Sequence, residues 1–194
     1  MIELSEKYLI NTGTNRACYE HPEDKNKCIK IVISGNNKES LQEIAYYNFL
    51  KKRNIKWCCL TEYYGMVDTN YGAGEVVSLI RDFDGKVSKT LSYYIIDNSY
   101  TLDIPHLINI LKELKKCLED EKIIVKDLNV VNIVYKKLSE KDGKLIVIDG
   151  TNNKYNFINQ MSYLNKKQIK KLWKKFINSL FNSYAYNDVK NIKL

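Results

Sequence analysis

The stretch IIVKDLNVVNIVY, residues 123–135, decides the fold, because it leads from a polar loop into an apolar strand. It contains Asp127 and, five positions later, Asn132. A second apolar strand, KLIVIDG at residues 144–150, carries Asp149 close to its end. Three polar side chains thus border two apolar strands that follow one another in the sequence.

The two strands are predicted to pair as an antiparallel hairpin. Between them lies EKDGK, whose Asp142-Gly143 step is typical of the turns that join such strands. If residues 132–136 pair with residues 144–149, the start of the first strand lies beside the end of the second. The asparagine and the second aspartate then become neighbours, and the first aspartate lies just upstream on a loop.

This arrangement predicts a site for phosphate chemistry. Oxygen ligands from Asn132 and Asp149 suit a hard divalent cation such as Mg²⁺, which usually binds few protein ligands together with substrate phosphates. The carboxylate of Asp127 can take a proton from an attacking hydroxyl. The alternative is that Asp127 and Asn132 are ordinary turn and capping residues, and that Asp149 only precedes the turn that ends a strand.

Lys30 is a cation within the apolar strand CIKIVI, residues 28–33. Burying its ammonium group is costly unless a carboxylate or a ligand phosphate pairs with it. The following helix, predicted from about residue 38 to 52, offers Glu39 and Glu43, and Glu43 is the preferred partner. The alternative is that the lysine extends to the edge of the sheet and reaches water.

Composition indicates a soluble globular chain. Of the 194 residues, 44% are apolar and 28% charged, and no apolar run approaches the roughly 20 residues needed to span a bilayer. The N-terminal MIELSEKYLI lacks a basic segment with a cleavage site, so a cytoplasmic location is predicted. Five cysteines, an odd number without CxxC spacing, indicate reduced thiols, and with only two histidines they make a zinc site improbable.

The net charge of +8 is concentrated near the C-terminus, where residues 154–194 contain nine lysines and one acid. A helix over residues 166–184 is predicted from one apolar stripe and an opposite lysine face. This pattern is typical of a terminal helix that packs on the core with its lysines in water. The alternative is a basic surface for an anionic substrate or a membrane surface. Nucleic acid is an unlikely partner, because the aromatic residues fall on the apolar stripe.

The chain is predicted to be an α+β protein of two lobes. Residues 1–85 are rich in strands and contain one helix. Residues 86–194 are mostly helical and also contain the loop that carries Asp127, the hairpin and the basic helix. Asp103 and Pro105 are placed to start a helix in the second lobe.

The order of these polar residues resembles the protein-kinase-like fold. The resemblance implies that a strand lysine pairs with a helix glutamate and holds the nucleotide phosphates. It also implies that a catalytic-loop aspartate orients the acceptor hydroxyl, and that an asparagine and a final aspartate bind Mg²⁺. The matching residues are Lys30, Glu43, Asp127, Asn132 and Asp149.

The wider sequence is similar to the PhoP regulatory network protein YrbL family over roughly residues 8–152. The matching phrases include RACYEHPEDKNKCIKI, KDLNVVNIVY and VIDG, and a long one from RNIKWCCL to LIRDFDG. The resemblance to the kinase-like fold implies that Gly13 lies in the nucleotide loop and that Arg16 contacts a phosphate. It also implies that the linker between the lobes, where backbone groups bind adenine, consists of Arg81, Asp82 and Phe83. A purely structural turn remains the alternative for Gly13.

Departures from protein kinases argue against a peptide substrate. Val125 stands where protein kinases carry histidine, Lys126 replaces the usual arginine, and Gly150 follows Asp149 directly. The nucleotide loop has one glycine in place of three, and only 44 residues follow Gly150. We therefore expect an ATP- and Mg²⁺-dependent phosphotransferase acting on a hydroxyl of a small molecule, a sugar or a lipopolysaccharide core. The alternative is a non-catalytic, nucleotide-binding regulatory or scaffold protein.

Overall fold

A computed structural model of the protein describes residues 1–35, 38–96, 102–151 and 162–183. Its larger sheet is antiparallel, with the strand order β1-β2-β3-β5-β4. The strands are β1 (Leu9–Thr12), β2 (Arg16–His21), β3 (Asp24–Val32), β4 (Tyr63–Thr69) and β5 (Gly72–Ser78). All five strands lie within residues 1–85, the part of the chain predicted to be rich in strands.

The described residues also form four α-helices, two short 3-10 helices (Glu6–Tyr8 and Val130–Asn132) and a second, two-stranded sheet. The helices are α1 (Lys38–Lys52), α2 (Leu91–Ile96), α3 (Ile104–Asp120) and α4 (Ser162–Ser183). The small sheet pairs β6 (Ile133–Lys137) with β7 (Gly143–Val147). This mixture of helices and antiparallel sheets confirms the predicted α+β composition, whereas the two-lobed kinase-like arrangement stays a prediction.

The start of α3 follows from its sequence. The side chain of Asp103 caps the helix by accepting a hydrogen bond from the backbone N–H of His106 at 3.3 Å. Pro105 lies in the first turn, where its missing N–H costs no helical hydrogen bond. One face of the helix is buried, through Leu107, Ile110, Leu111, Leu114 and Leu118.

The larger sheet has an apolar cluster on each face. Alternate residues of β3 belong to different clusters: Ile29 and Ile31 pack with Ala17 and Val76, whereas Cys28 joins the main core built around α1 and α3. Because successive side chains of a strand point to opposite faces, Lys30 lies on the same side as Cys28. The lysine is thereby directed toward the main core and the hairpin, away from the smaller cluster.

The predicted hairpin is confirmed, with strand ends that differ by one or two residues. Its register pairs Ile133 with Val147 and Lys137 with Gly143. One further backbone hydrogen bond, from Ile148 N to Asn132 O at 2.8 Å, extends the contact past the last ladder pair. The beginning of β6 therefore lies beside the end of β7, as the turn signal required.

Helix α4 has the predicted division between an apolar and a basic face. Its buried side chains are Ile169, Trp173, Phe176, Leu180 and Phe181, and the helix packs against α3. The exposed side chains include Lys166, Lys167, Lys170, Lys171, Lys174 and Lys175. Tyr184, the last residue of the predicted helix, lies outside the described residues. Within the described ranges, no helix has both the length and the apolar character that crossing a membrane requires.

The prediction that all cysteines are reduced thiols is wrong for one pair. Cys59 and Cys117 form a disulfide, with their Cα atoms 6.3 Å apart. The two residues are separated by 58 positions, and they meet because the turn after α1 packs on the last turns of α3. That contact depends on tertiary packing, which cysteine spacing does not reveal.

Candidate functional site

The guanidinium of Arg16 is the centre of a cluster of charged side chains between the larger sheet, α1 and the hairpin. Its Nη1 lies 2.5 Å from Oε2 of Glu43, and its Nη2 donates to Oδ1 and Oδ2 of Asp149 at 2.6 and 2.8 Å. A third carboxylate, that of Glu75, is 3.5 Å from Nη1. Residues from β2, α1, β5 and the end of β7 thus meet around one forked cation, a geometry that arginine suits better than lysine does.

Lys30 reaches the same place from β3, but with a different partner from the one predicted. Its Nζ donates to the backbone oxygen of Ile148 at 2.8 Å and lies 3.9 Å from Oδ2 of Asp149. No ion pair joins Lys30 to Glu43, although both residues are described. The predicted Lys30–Glu43 pair is therefore wrong in this structure, because Arg16 takes the glutamate and the lysine reaches the hairpin.

Glu43 is fully buried, and both of its carboxylate oxygens have partners. Oε2 accepts from Arg16, and Oε1 accepts from the hydroxyl of Thr151 at 3.0 Å. Thr151 is also fully buried and follows Asp149 by two positions. The helix glutamate is consequently tied to the segment just after β7 as well as to the sheet.

The loop before β6 packs against the end of β7 through Gly150. The backbone N–H groups of Lys126 and Asp127 donate to Gly150 O at 3.0 and 3.1 Å. Gly150 has a φ of +87°, and a Cβ atom there would lie 2.4 Å from Asp127 O. Only glycine fits this turn, because a side chain would meet both the φ restriction and the backbone of the loop.

Asn132 connects the loop to the hairpin. Its Nδ2 donates to the backbone oxygen and to Oδ2 of Asp127, at 3.0 and 3.1 Å. The same Nδ2 lies 3.2 Å from the position that a Cβ on Gly150 would occupy. The structure therefore brings Asp127 and Asn132 next to Asp149, while their chemical roles stay predictions.

Burial and neighbouring charges have opposing effects on the pKa values of Asp149 and Lys30. Burial raises the pKa of Asp149, but Lys30 and Arg16 outweigh it and hold that pKa below its usual value. Burial lowers the pKa of Lys30, but Asp149 and Glu43 outweigh it and raise that pKa well above its usual value. Both groups are therefore charged at neutral pH.

Glu75 is a member of the site that sequence reasoning missed. It lies opposite Lys30 in the register of β3 and β5 and is 1% exposed. Neither of its carboxylate oxygens accepts a hydrogen bond. Arg16 is close enough for an ion pair but not for a well-formed hydrogen bond. The signal was an acid inside the apolar strand GAGEVVS, the same kind of signal that identified Lys30.

The buried Glu75 predicts a pH-dependent stability. Burial raises its pKa from 4.5 to about 7, against the opposing effects of Lys30 and Arg16. A pKa raised by folding favours the folded state at low pH, and that gain is lost as the pH rises through the folded value. We expect the free energy of unfolding of Glu75→Gln, relative to wild type, to increase by up to about 3 kcal/mol from pH 5 to pH 8.

Urea denaturation at the two pH values measures this difference. Glu3→Gln, at an exposed glutamate, is the matched control. A stability difference between Glu75→Gln and wild type that is the same at pH 5 and pH 8 would contradict the assignment.

Gly13 is placed as predicted, in the turn between β1 and β2. Its backbone N–H donates to Arg16 O at 2.8 Å, so the turn that contains the glycine also fixes the backbone of the central arginine. Gly13 is exposed, which leaves its backbone open on one side. Its predicted contact with nucleotide phosphates stays a prediction.

The segment predicted to bind adenine is held by other parts of the fold. Arg81 donates to Glu20 Oε2 at 2.6 Å and to Lys25 O at 2.7 Å. Asp82 Oδ1 accepts from Ser88 Oγ at 2.5 Å and from Lys137 N at 2.9 Å. These contacts join the segment to the ends of β2 and β3 next to their connecting turn and to the far end of β6, and none of them reaches the cluster around Arg16 within the described ranges.

Phe83 completes the predicted linker. Its side chain is 55% exposed, and its backbone N–H donates to Lys137 O at 3.0 Å. The backbone N–H of Asp82 is likewise engaged, by Lys86 O at 2.9 Å. Adenine binding by this segment stays a prediction, and these two N–H groups are committed to internal hydrogen bonds.

Comparison with known proteins identifies the family. The profile of the family described as PhoP regulatory network protein YrbL matches residues 2–180. The chain is 37% identical over 182 residues to the protein named uncharacterized protein YrbL of Escherichia coli (strain K12), covering 91% of this chain and 87% of that one. The protein of the same name from Shigella flexneri matches to the same extent. The chain belongs to the PhoP regulatory network protein YrbL family.

Proposed function

We propose that this chain is an ATP- and Mg²⁺-dependent phosphotransferase that acts on a hydroxyl group. The observation that carries the proposal is the meeting of Lys30, Asp127, Asn132 and Asp149 at one end of the small hairpin, although more than 90 positions separate the lysine from the others. A cation beside a carboxylate, with an amide and a second carboxylate adjacent, is a set of groups suited to phosphoryl transfer.

A protein-kinase-like fold is part of the same proposal. In this arrangement residues 1–85 form a strand-rich lobe for the nucleotide phosphates, and residues 86–194 form an abbreviated helical lobe. The order of the elements supports it: three strands, helix α1, two more strands, and then helices around a small hairpin. The position of Lys30 on the third strand and of Glu43 on the helix after it also fits the resemblance.

The donor set fits Mg²⁺. Asn132 and Asp149 offer an amide oxygen and a carboxylate, which are hard ligands of the type that this ion binds. Asn132 uses its Nδ2 for Asp127, so its Oδ1 is the atom left for a metal. Asp149 is anionic at neutral pH, because Lys30 and Arg16 lower its pKa against the effect of burial. When bound with ATP, Mg²⁺ neutralises part of the phosphate charge.

The remaining roles belong to the side chains of the protein. Lys30 is held in place by Ile148 O and would contact the nucleotide phosphates with its other N–H donors. Asp127 is exposed, and its carboxylate accepts a hydrogen bond from Asn132. It would accept the proton of the acceptor hydroxyl while the oxygen forms a bond to the terminal phosphorus and the bond to the bridging oxygen breaks.

Arg16 supports a second candidate, a pseudokinase-type nucleotide-binding regulatory or scaffold protein. Its guanidinium contacts both carboxylate oxygens of Asp149, the atoms that a metal would need. For catalysis the arginine, whose side chain is 23% exposed, would have to move from Asp149 toward the phosphates. A chain in which Arg16 stays on Asp149 would bind nucleotide without Mg²⁺-dependent turnover.

The acceptor is proposed to be a small molecule, a sugar or a lipopolysaccharide-type substrate, in the cytoplasm. Asp127 is exposed and can be approached by a compact hydroxyl compound. The exposed lysines of α4 would favour an anionic acceptor, or contact with a membrane surface, through long-range attraction.

Incubation with ATP and Mg²⁺, followed by mass spectrometry of the nucleotide and of candidate sugars and core oligosaccharides, tests the function. We expect ADP and a product heavier by one phosphoryl group. Asp127→Asn should lower the rate of transfer by about 100- to 10,000-fold, the range for losing a general base, with unchanged ATP binding.

Nucleotide binding without ADP release would favour the pseudokinase-type alternative. Transfer of AMP would redirect the mechanism to nucleotidyl transfer. Absence of any nucleotide binding would contradict both candidates.

A further inference from the structure

Three cysteines form a sulfur cluster on the side of the molecule where the turn after α1 meets α3. Cys58 and Cys59 lie in the turn, and Cys117 lies near the end of the helix. Their three Sγ atoms are all within 4.8 Å of one another, and the Sγ atoms of Cys58 and Cys117 are 2.6 Å apart. The third sulfur is thus placed against the Cys59–Cys117 disulfide.

The two segments that carry the sulfurs are fixed by contacts that do not involve sulfur. Val147 N donates to Cys59 O at 2.9 Å, which ties the turn to β7. Arg53 donates to Glu121 O at 2.6 Å, and Lys56 N donates to Glu121 Oε2 at 3.1 Å, which tie the chain before the turn to the end of α3. The cluster would therefore stay assembled after the disulfide is reduced.

We propose that the reduced chain binds one Zn²⁺ ion through Cys58, Cys59 and Cys117. Thiolates select thiophilic ions, and three thiolates are better neutralised by a divalent ion than by monovalent copper. No further histidine, cysteine or carboxylate of the described chain joins the group. Since Cys58 is exposed, the fourth position of a tetrahedral site is open to water.

A low-molecular-weight thiol is the reductant that opens the disulfide. Two thiol molecules reduce the Cys59–Cys117 bond, giving two cysteine thiols and one small-molecule disulfide. Zn²⁺ then replaces up to three protons, one from each cysteine, and forms three bonds to sulfur. Oxidation and metal binding are mutually exclusive, because the disulfide uses two of the three sulfurs.

The site is independent of the proposed phosphotransferase activity, yet it is connected to the hairpin. Cys59 O accepts a hydrogen bond from the backbone N–H of Val147, which lies two residues before Asp149. In return, Thr61 N donates to Val147 O at 2.9 Å. Metal binding would therefore brace the strand that carries Asp149. Zinc binding itself needs neither nucleotide nor turnover, so it is measured separately from the activity.

Titration of the reduced full-length chain with Zn²⁺ against a chromophoric chelator tests the proposal. We expect one ion per chain in wild type and in Cys18→Ser, a matched control at a cysteine outside the cluster. Losing an outer-shell partner already costs about 10- to 100-fold in metal affinity, so Cys58→Ser and Cys117→Ser should each lose at least about 100-fold. Cys58 is exposed, and its variant should fold as wild type does by circular dichroism.

Replacement of Zn²⁺ by Co²⁺ provides a second readout. We expect sulfur-to-cobalt charge-transfer absorption in the reduced wild type and its loss after oxidation to the disulfide. Zinc affinity that is unchanged in Cys58→Ser, or that falls equally in Cys18→Ser, would overturn the proposal. So would a reduced wild-type chain that fails to compete with the chelator.

Discussion

Asp149→Asn is expected to lower Mg²⁺-dependent turnover of ATP by about 1000-fold or more. The substitution preserves the shape of the side chain but removes the negative charge that Lys30 and Arg16 stabilise. Removing a single electrostatic contact to a transition state costs roughly 100- to 1000-fold, and a metal ligand contributes at least as much. Steady-state ADP release at saturating ATP measures the loss.

The same substitution should leave the fold intact. Asp149 is 32% exposed, so losing its ion pairs costs little stability in a partly solvated site. Arg16 keeps Glu43, and Lys30 keeps the carbonyl of Ile148. Circular dichroism and the thermal midpoint should therefore remain close to wild type.

Asp68→Asn, at an exposed aspartate of β4, is the matched control and should turn over ATP as wild type does. Wild-type turnover by Asp149→Asn would remove the metal-binding role of this residue. A nucleotide that binds equally well to both variants but is never turned over by wild type would support the pseudokinase-type alternative.

Much of the fold could be predicted from the sequence, because the decisive signals are local. The Asp142-Gly143 step between two apolar runs predicted the hairpin, although in the structure Gly143 is the first residue of β7 and residues 138–142 form the connection. Asp103 with Pro105 located the start of α3, and the lysine and apolar faces located α4. Each of these features depends on residues within a few positions of one another.

The pairing of cations and carboxylates in the site could not be predicted in the same way. Lys30 and Glu43 were identified because each interrupts an apolar pattern, yet the pattern does not say which cation meets which carboxylate. Arg16 was identified only as a phosphate contact, since it lies at the start of β2 beside a turn. Its reach to Glu43 and Asp149 depends on how the sheet, α1 and the hairpin pack, which involves separations of 27 and 133 positions.

Two double-mutant cycles on Glu43 distinguish an Arg16–Glu43 pair from a Lys30–Glu43 pair. Glu43→Gln and Arg16→Met each leave a charge without its main partner, and each should lower the free energy of unfolding by about 3 kcal/mol, the lower end for breaking a buried pair. The double variant should lose less than the sum, giving a coupling energy of about 2 kcal/mol. Glutamine keeps one acceptor oxygen in place of two, so Glu43→Gln removes the charge and also one of the acceptors that Arg16 and Thr151 use.

The cycle of Glu43→Gln with Lys30→Met is the matched control. Its coupling energy should be smaller by at least about 1 kcal/mol, because Lys30 donates to Ile148 O and approaches Asp149, not Glu43. Urea denaturation of the five variants and the wild type measures both cycles at one pH. A Lys30–Glu43 coupling as large as that of Arg16–Glu43 would restore the pair implied by the kinase resemblance. It would also mean that Lys30 and Arg16 both hold Glu43, so that the proposed movement of Arg16 toward the phosphates would leave Glu43 with a cationic partner.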